Sequence, residues 1–255
     1  MALKNHAFCW NGIASTDTVE MGPFYEAVLG WKLAEHTFPN GEKTSLFSAQ
    51  DWPRAHLRDC LDGETDHWIS FLRVIDVDKS TDSAVANGGT VDIQPNDIAP
   101  GRFSVVTAPS GAPLALYHEA NEDEAEAGPI GPGAVHWTEL HSGDIEKDVA
   151  WLKSTFGYTI QEMPMPQGGT YYICLAEDGA VCGGACPCMI DGGKPQWLTW
   201  IHVEDVDATA QKITELGGKA PTEGADYPGV GRMALVADPT GAAFGIITPA
   251  AAPGN

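Results

Sequence analysis

An internal duplication is the feature of this sequence that most constrains its fold. Trp10 and Trp137 lie 127 residues apart, and FYEAVLGWKL (24–33) matches WLKSTFGYTI (151–160) at the same offset. WISFLRVIDVD (68–78) matches WLTWIHVEDVD (197–207) at 129, and GRFSVVTAPSGAPLALY (101–117) matches GRMALVADPTGAAFGII (231–247) at 130. Because the matches keep their order and drift by only three residues, the two halves are repeats of one structural module.

The modules are separated by a segment that is first acidic and then rich in glycine and proline, EANEDEAEAGPIGPG. Such a composition has no apolar face to bury and is typical of a linker. We therefore predict module one at residues 1–120, an acidic linker at 121–130 and module two at 131–250.

Each module also divides into two similar units. Alternating residues predict a strand at 10–14 and at 137–141, followed by a helix that Asp17 or Asp144 caps and that Gly30 or Gly157 ends. The second unit has a strand at 68–75 or 197–203, a helix after Asp78 or Asp207, a Gly-Gly stop and two strands around a late turn. The predicted fold is α+β, with one strand, one helix and three strands repeated four times.

The motifs FYxxxxGW, the Gly-Gly stop, VxDVD and the late turn together resemble the vicinal oxygen chelate superfamily of glyoxalases, bleomycin resistance proteins and extradiol dioxygenases. The resemblance covers nearly the whole chain and is closest to tandem two-module glyoxalase-like proteins. It implies paired βαβββ units whose mixed sheets form half-open barrels. In the enzymes of this family a divalent metal chelates adjacent substrate oxygens, whereas the drug-binding members sequester compounds such as bleomycin.

The family's metal-ligand positions can be located from the residue that caps each helix and from the late turn glycine. Three positions in each module hold residues that cannot bind a metal, namely Trp10, Ile69 and Ala115 in module one and Trp137, Leu198 and Gly245 in module two. The fourth falls near His56 in module one and Gly183 in module two. Since a metal site needs three or four donors, we predict no metal and no other cofactor.

Side chains alternate along a strand, so positions two apart share a face. If Trp137 and Leu198 point into the barrel of module two, then Glu139, His141, Trp200 and His202 do so as well. The same parity gives module one mainly apolar inner groups with Trp10, Arg73 and Tyr117. The predicted catalytic residues are Glu139, His141 and His202, and the predicted ligand-binding residues are Trp137, Trp200, Trp10, Arg73 and Tyr117.

Three functions are compatible with these residues. The first is metal-independent binding of a small aromatic or cyclic organic molecule between tryptophans. The second is a metal-free lyase, isomerase or hydrolase reaction in which Glu139, His141 and His202 transfer protons. The third is a metal-dependent glyoxalase or dioxygenase, which the missing ligands disfavour. The alternative is a purely structural role, in which the inward polar groups form hydrogen bonds with one another and the aromatic rings fill the space inside the barrel.

The composition adds limits on partners and location. A net charge of −21, from 14 basic and 35 acidic residues, repels phosphate groups, so we expect neither nucleic acid nor membrane as a partner. A small organic molecule is the expected partner, with a homodimer as a possible assembly. Without an apolar leader or span the predicted location is the cytoplasm, where six cysteines would stay reduced. Cys182, Cys186 and Cys188 lack a second ligand cluster and are interpreted as structural or incidental.

Overall fold

The structure is a computed structural model that describes residues 5–121, 128–165, 168–189 and 193–251. Module one consists of β1 (Phe8–Ser15), α1 (Thr18–Leu29), β2 (Lys32–Thr37), β3 (Lys43–Ala49), β4 (Trp52–Asp59), β5 (His67–Arg73), α2 (Val77–Ala86), β6 (Thr90–Ile98), β7 (Gly101–Thr107) and β8 (Pro113–Glu119). Module two consists of β9 (Val135–Ser142), α3 (Ile145–Phe156), β10 (Thr159–Pro164), β11 (Thr170–Leu175), β12 (Val181–Pro187), β13 (Gln196–His202), α4 (Val206–Glu215), β14 (Ala225–Tyr227), β15 (Gly231–Ala237) and β16 (Ala243–Pro249). Most of the predicted linker, residues 122–127, lies outside the described residues.

The strands of each module join in one mixed eight-stranded sheet. Its order is β2-β3-β4-β1-β5-β8-β7-β6 in module one and β10-β11-β12-β9-β13-β16-β15-β14 in module two. The two βαβββ units of a module meet at an antiparallel pair, β1 with β5 or β9 with β13, and each of these strands has a parallel neighbour on its other side. This confirms the α+β fold of two tandem modules that the repeat predicted.

The helices begin and end at the residues that favour such boundaries. Asp17 and Asp144 accept hydrogen bonds from backbone N–H groups of the first turns of α1 and α3, and Gly30 and Gly157 end these helices with φ near 69°. The second helix of each module, α2 or α4, starts slightly earlier than predicted. The N-caps are Asp76 and Asp205, because their carboxylates accept from Lys79 N and Ala208 N, whereas Asp78 and Asp207 lie within the first turn and bind arginines.

The two modules pack against each other through the helix-bearing faces of their sheets. One core cluster joins α1 and the first unit of module one to α4 and the second unit of module two, and a second cluster joins α2 to α3 in the same way. At the centre, β5 lies against β13, where Thr199 Oγ1 contacts Ser70 Oγ (3.1 Å) and donates to Asn11 Oδ1 (2.8 Å). Each module therefore depends on the other for part of its core.

The opposite face of each sheet, which we call the inner face, carries the alternate residues of the same strands. Trp197 of β13 belongs to the shared core, whereas Leu198 and Trp200 belong to a separate cluster with Trp137 and Leu235 on the inner face of module two. The inner face of module one has a corresponding cluster that includes Ile69, Phe71, Ala115, Trp10 and Tyr117. The parity inferred from the sequence therefore assigns these residues to the same faces as the structure. None of the described helices has the length and apolar character needed to cross a membrane.

Candidate functional site

A continuous chain of hydrogen bonds crosses the inner face of module two. His141 Nε2 is 2.8 Å from Glu139 Oε1, and the Tyr171 hydroxyl donates to Glu139 Oε2 at 2.6 Å. The Trp137 indole N–H in turn donates to the Tyr171 oxygen at 2.7 Å. Three of these residues alternate along β9 and therefore share its inner face, while Tyr171 reaches them from β11. Glu139 and His141 are only 4% and 3% exposed, so the pair is shielded from solvent.

The surroundings of Glu139 favour its ionised form. Burial alone would raise the pKa of this carboxyl, but the hydrogen bond and charge of His141 and the hydrogen bond from Tyr171 outweigh it and hold the pKa below its usual value. Burial and the neighbouring Glu139 raise the pKa of Tyr171 well above its usual value, so the phenol remains a donor. The site therefore pairs a buried carboxylate with donors that are fixed in position.

The buried Trp200 indole adds an N–H donor that has no acceptor at ordinary hydrogen-bond geometry among the described residues. Its N–H faces Glu139 and helps to lower the pKa of that carboxyl, yet the nitrogen makes no hydrogen bond of ordinary geometry within the described residues. An unsatisfied buried donor costs about 1–3 kcal/mol. An oxygen atom of a bound molecule could accept this hydrogen bond.

Module one has a different hydrogen-bonded group at the equivalent position of its inner face. Gly12 pairs with His56 across β1 and β4, as Glu139 pairs with Gly184 across β9 and β12. The Trp10 indole N–H donates to His56 Nδ1 at 2.9 Å. Burial, with a smaller effect of the nearby arginine of β4, lowers the pKa of His56 to about 4, so the imidazole is neutral near pH 7. At this crossing each module has a polar side chain on one strand and a glycine on the other.

The glycine positions show why the two centres differ. A Cβ at Gly12 would lie 2.5 Å from the His56 ring, and a Cβ at Gly184 would lie 2.0 Å from the Tyr171 hydroxyl. In module two the tyrosine hydroxyl thus occupies the space next to the tryptophan that the histidine occupies in module one. Tyr171 and Gly184 could not be found from the sequence, because nothing in a single strand shows which residue of a neighbouring strand it will meet.

The other ligand-binding residues predicted in module one have partners within the protein. Arg73 is buried and its Nε donates to Glu119 Oε1 at 2.8 Å. The Tyr117 hydroxyl donates to the carbonyl oxygen of Pro100 at 2.7 Å. Both side chains lie on the inner face, but their polar groups bind other residues of module one. Trp10 is the partly exposed aromatic residue that contacts His56.

The predicted grouping of Glu139, His141 and His202 is only partly formed. Strands β9 and β13 are antiparallel, with Leu198 opposite Glu139, so His202 lies four residues farther along, roughly 13 Å away at about 3.3 Å per residue. Trp200 lies between, and the His202 ring instead approaches that of His136, with centroids 6.2 Å apart. The structure therefore joins Glu139 to His141 and separates His202 from them.

The residues at the family's metal positions do not fit a metal ion. Strand pairing corrects the fourth position of module two from Gly183 to Gly184, which brings no donor either. The Trp200 ring occupies the space beside Gly245, the last of these positions, since a Cβ on Gly245 would lie 2.2 Å from that ring. The only candidate donor among these positions in either module is His56, which is engaged with Trp10. We therefore derive no chemistry through an ion at these positions.

A different set of donors meets nearby. One donor atom each from Glu139, His141 and Cys186 lies within 4.8 Å of the others, and all three residues are buried. Cys186 of β12 is the register partner of His141, so the two side chains stand side by side on the inner face. Burial, and then the charge of Glu139, raise the pKa of the Cys186 thiol. The sequence alone does not indicate this set, because Cys186 is remote in sequence from β9.

Two surface clefts lie elsewhere in the described residues. One of about 270 Å³ lies between the start of α1 and the end of α4, lined by residues that include Asp17, Phe24 and Leu216. The other, of about 310 Å³, lies beside α4 near Arg232. Neither includes a residue of the hydrogen-bonded chain at Glu139, so they give no support to that site.

Comparisons with known proteins agree with this fold. The sequence profile of the Glyoxalase/Bleomycin resistance protein/Dioxygenase superfamily matches residues 10–116. The chain is 30% identical over 253 residues to the putative glyoxylase CFP32 of Mycobacterium tuberculosis, with 94% of both proteins covered. It is 29% identical over 266 residues to the anthracycline biosynthesis protein DnrV of Streptomyces peucetius, with 96% of both covered.

Solved structures resemble the chain in fold at low identity. The Mn(II)-bound glyoxalase from Novosphingobium aromaticivorans superposes with a TM-score of 0.63 and 16% identity, covering 96% of this chain and 82% of that one. An extradiol ring-cleaving dioxygenase from B. fuscum gives a TM-score of 0.65 and 14% identity, covering 98% and 74%. At these identities the likeness concerns the arrangement of the two modules and not the chemistry of the site.

Proposed function

Because the chain belongs to the glyoxalase/bleomycin resistance protein/dioxygenase superfamily, we propose that it binds a small aromatic or cyclic organic molecule on the inner face of module two. Binding there would not depend on an ion at the family's metal positions, where the residues are tryptophan, leucine and glycine. The observation that carries the proposal is the hydrogen-bonded chain from Trp137 through Tyr171 and Glu139 to His141, set among aromatic side chains.

The chemistry of this face suits a planar molecule with oxygen substituents. Trp137 and Trp200 are cross-strand neighbours, and tryptophan faces bind aromatic rings through stacking and burial of apolar area. The Glu139 carboxylate can accept a hydrogen bond from a phenol or enol, and the Trp200 N–H can donate to a carbonyl oxygen. Few polar groups among apolar walls are the usual composition of a small-molecule site.

One of the relatives supports the same class of ligand. DnrV is named for anthracycline biosynthesis, and anthracyclines are fused-ring quinones with hydroxyl groups. A molecule of that chemistry offers a flat ring system for the tryptophans, hydroxyl donors for Glu139 and carbonyl acceptors for Trp200.

A second candidate function is metal-free proton transfer on the bound molecule, as in a lyase, an isomerase or a hydrolase. It is favoured by one contact, the 2.8 Å hydrogen bond between His141 and Glu139 in a buried setting. A carboxylate that orients an imidazole is a common arrangement for general base catalysis. Of the residues predicted for this role, Glu139 and His141 remain and His202 drops out. A metal-dependent glyoxalase or dioxygenase ranks third, since this chain has tryptophan, leucine and glycine at the positions where the family resemblance implies metal ligands in module two.

The proposal is tested by calorimetric titration of 1,2-dihydroxyanthraquinone into protein that a chelator has freed of metal. We expect Trp137→Phe and Glu139→Gln to weaken binding about tenfold or more, corresponding to about 1.4 kcal/mol each. The matched control is Trp10→Phe, the same change at the equivalent position of module one, which should alter the affinity less than about twofold. An equal loss in Trp10→Phe, or full affinity in Trp137→Phe, would contradict the proposal.

A further inference from the structure

We propose that Glu139, His141 and Cys186 form a binding site for a divalent transition-metal cation of the zinc type, displaced from the positions that the family uses. Their donor atoms lie within 4.8 Å of one another on the inner face of module two. The inference goes beyond the proposed binding of an organic molecule, and it replaces the sequence expectation that the chain holds no metal.

The donor set matches the preference of such a cation. Zinc is bound by cysteine sulfur at about 2.3 Å, histidine nitrogen at about 2.0 Å and carboxylate oxygen at about 2.0–2.2 Å. In a tetrahedral site these lengths separate the donors by roughly 3.5 Å. The 2.8 Å contact between His141 Nε2 and Glu139 Oε1 therefore has to lengthen by roughly 0.7 Å, and the group, whose donor atoms all lie within 4.8 Å of one another, needs adjustments of about 1 Å. Three protein ligands leave a fourth position open for water or for an oxygen atom of a bound molecule.

The strands hold the three side chains in place. Cys186 and His141 are register partners on the parallel strands β12 and β9, and Glu139 lies two residues before His141 on the same face. Rigid strands position metal ligands more accurately than loops do. Because Gly184 is the residue of β12 that lies beside Glu139, no other side chain of that strand intrudes between the carboxylate and the thiol.

The contacts around Glu139 resemble the outer hydrogen bonds that orient metal ligands. The Tyr171 hydroxyl donates to Oε2 and leaves Oε1 directed toward His141. The Trp137 N–H fixes Tyr171 in turn. Partners of this kind typically change metal affinity about 10–100-fold when they are removed. Tyr171 is thus a positioning residue for the proposed site.

Charge balance also favours a dication. On binding, the Cys186 thiol loses its proton to solvent, and the thiolate and the Glu139 carboxylate together carry two negative charges that the cation neutralises. His141 binds as neutral imidazole through the nitrogen that now contacts Glu139. The buried group then carries no net charge, which is the condition under which charged residues are tolerated in a protein interior.

The test is titration of reduced, chelator-treated protein with Co²⁺ alone, followed by absorption spectroscopy. We expect one cobalt per chain, a thiolate-to-cobalt charge-transfer band in the near ultraviolet and the visible bands of tetrahedral cobalt. Cys186→Ser should abolish the charge-transfer band. The control is Cys182→Ser, because Cys182 lies on the same strand but packs against the shared core, and this variant should keep the band.

Tyr171→Phe provides a second test that leaves all three ligands intact. It should retain the band and weaken cobalt affinity about tenfold or more, while its circular dichroism matches that of the unchanged protein. Cobalt bound without a thiolate band, for example at the His136–His202 pair, would overturn the proposal. A band that persists in Cys186→Ser would overturn it as well. No organic ligand is present, so the result is independent of the anthraquinone titration.

Discussion

Single residues determine which hydrogen-bonded group forms on the inner face of each module. The glycine lies on β1 in module one, as Gly12 beside His56, and on β12 in module two, as Gly184 beside Glu139. A Cβ at Gly12 would meet the His56 ring, and a Cβ at Gly184 would meet the Tyr171 hydroxyl. Duplicated sequences can therefore keep a common fold while their inner faces diverge. The difference between the modules follows from which strand carries the glycine.

The neutral state of His56 makes a prediction about acid stability. Its pKa is lowered to about 4 in the folded chain, whereas an unfolded chain takes up the proton near its ordinary pKa of about 6.5. Between these values the unfolded state binds more protons, so the free energy of unfolding should fall as the pH falls through this window. The upper limit of this loss for one group is about 3 kcal/mol.

This is measured by urea unfolding near pH 7 and near pH 4.5. We expect His56→Gln to lose less stability than the unchanged protein between the two conditions, because glutamine does not take up a proton. His36→Gln, at an exposed histidine of β2, is the control and should keep the full dependence. The same loss in His56→Gln and in the unchanged protein would show that His56 is not held neutral by the fold.

At the level of elements, alternation along single strands predicted the inner faces, and strand pairing determined the rest. Trp137, Glu139 and His141 share a face because they are two residues apart, which the sequence shows directly. His202 was grouped with them because parity contains no information about the direction in which β13 runs. Cys186 and Tyr171 could not be found from the sequence, since the registers of β11 and β12 depend on a hairpin and on a parallel pairing with β9.

The start of α2 provides a prediction for helix capping. Asp76 accepts from Lys79 N at 3.0 Å, although the sequence placed the helix after Asp78. Asp76→Ala should lower the free energy of unfolding by about 1 kcal/mol, the usual cost of losing such a cap. Urea unfolding gives the value, and Asp82→Ala on the exposed side of α2 is the control, with an expected change within about 0.5 kcal/mol. Equal effects of the two substitutions would contradict the assignment of Asp76.

At the level of the whole molecule, the back-to-back packing turns the inner faces away from each other. The shared cores hold residues of both modules, and the Tyr25 hydroxyl of module one donates to Asp238 of module two at 2.8 Å. The repeat predicted two equal modules but not this mutual dependence, because the sequence does not show which helix faces meet. Because the inner faces point away from each other, a ligand can bind to one of them without contacting the other.

The proposed binding site lies in module two and not in module one. The chain has eight tryptophans, and their indole N–H signals in a nitrogen-proton correlation spectrum report on each module separately. On addition of 1,2-dihydroxyanthraquinone to metal-free protein, we expect saturable shifts of the Trp137 and Trp200 signals, while that of Trp10 stays in place. A shift of the Trp10 signal with Trp137 and Trp200 unchanged, or no saturable shift at all, would contradict the claim.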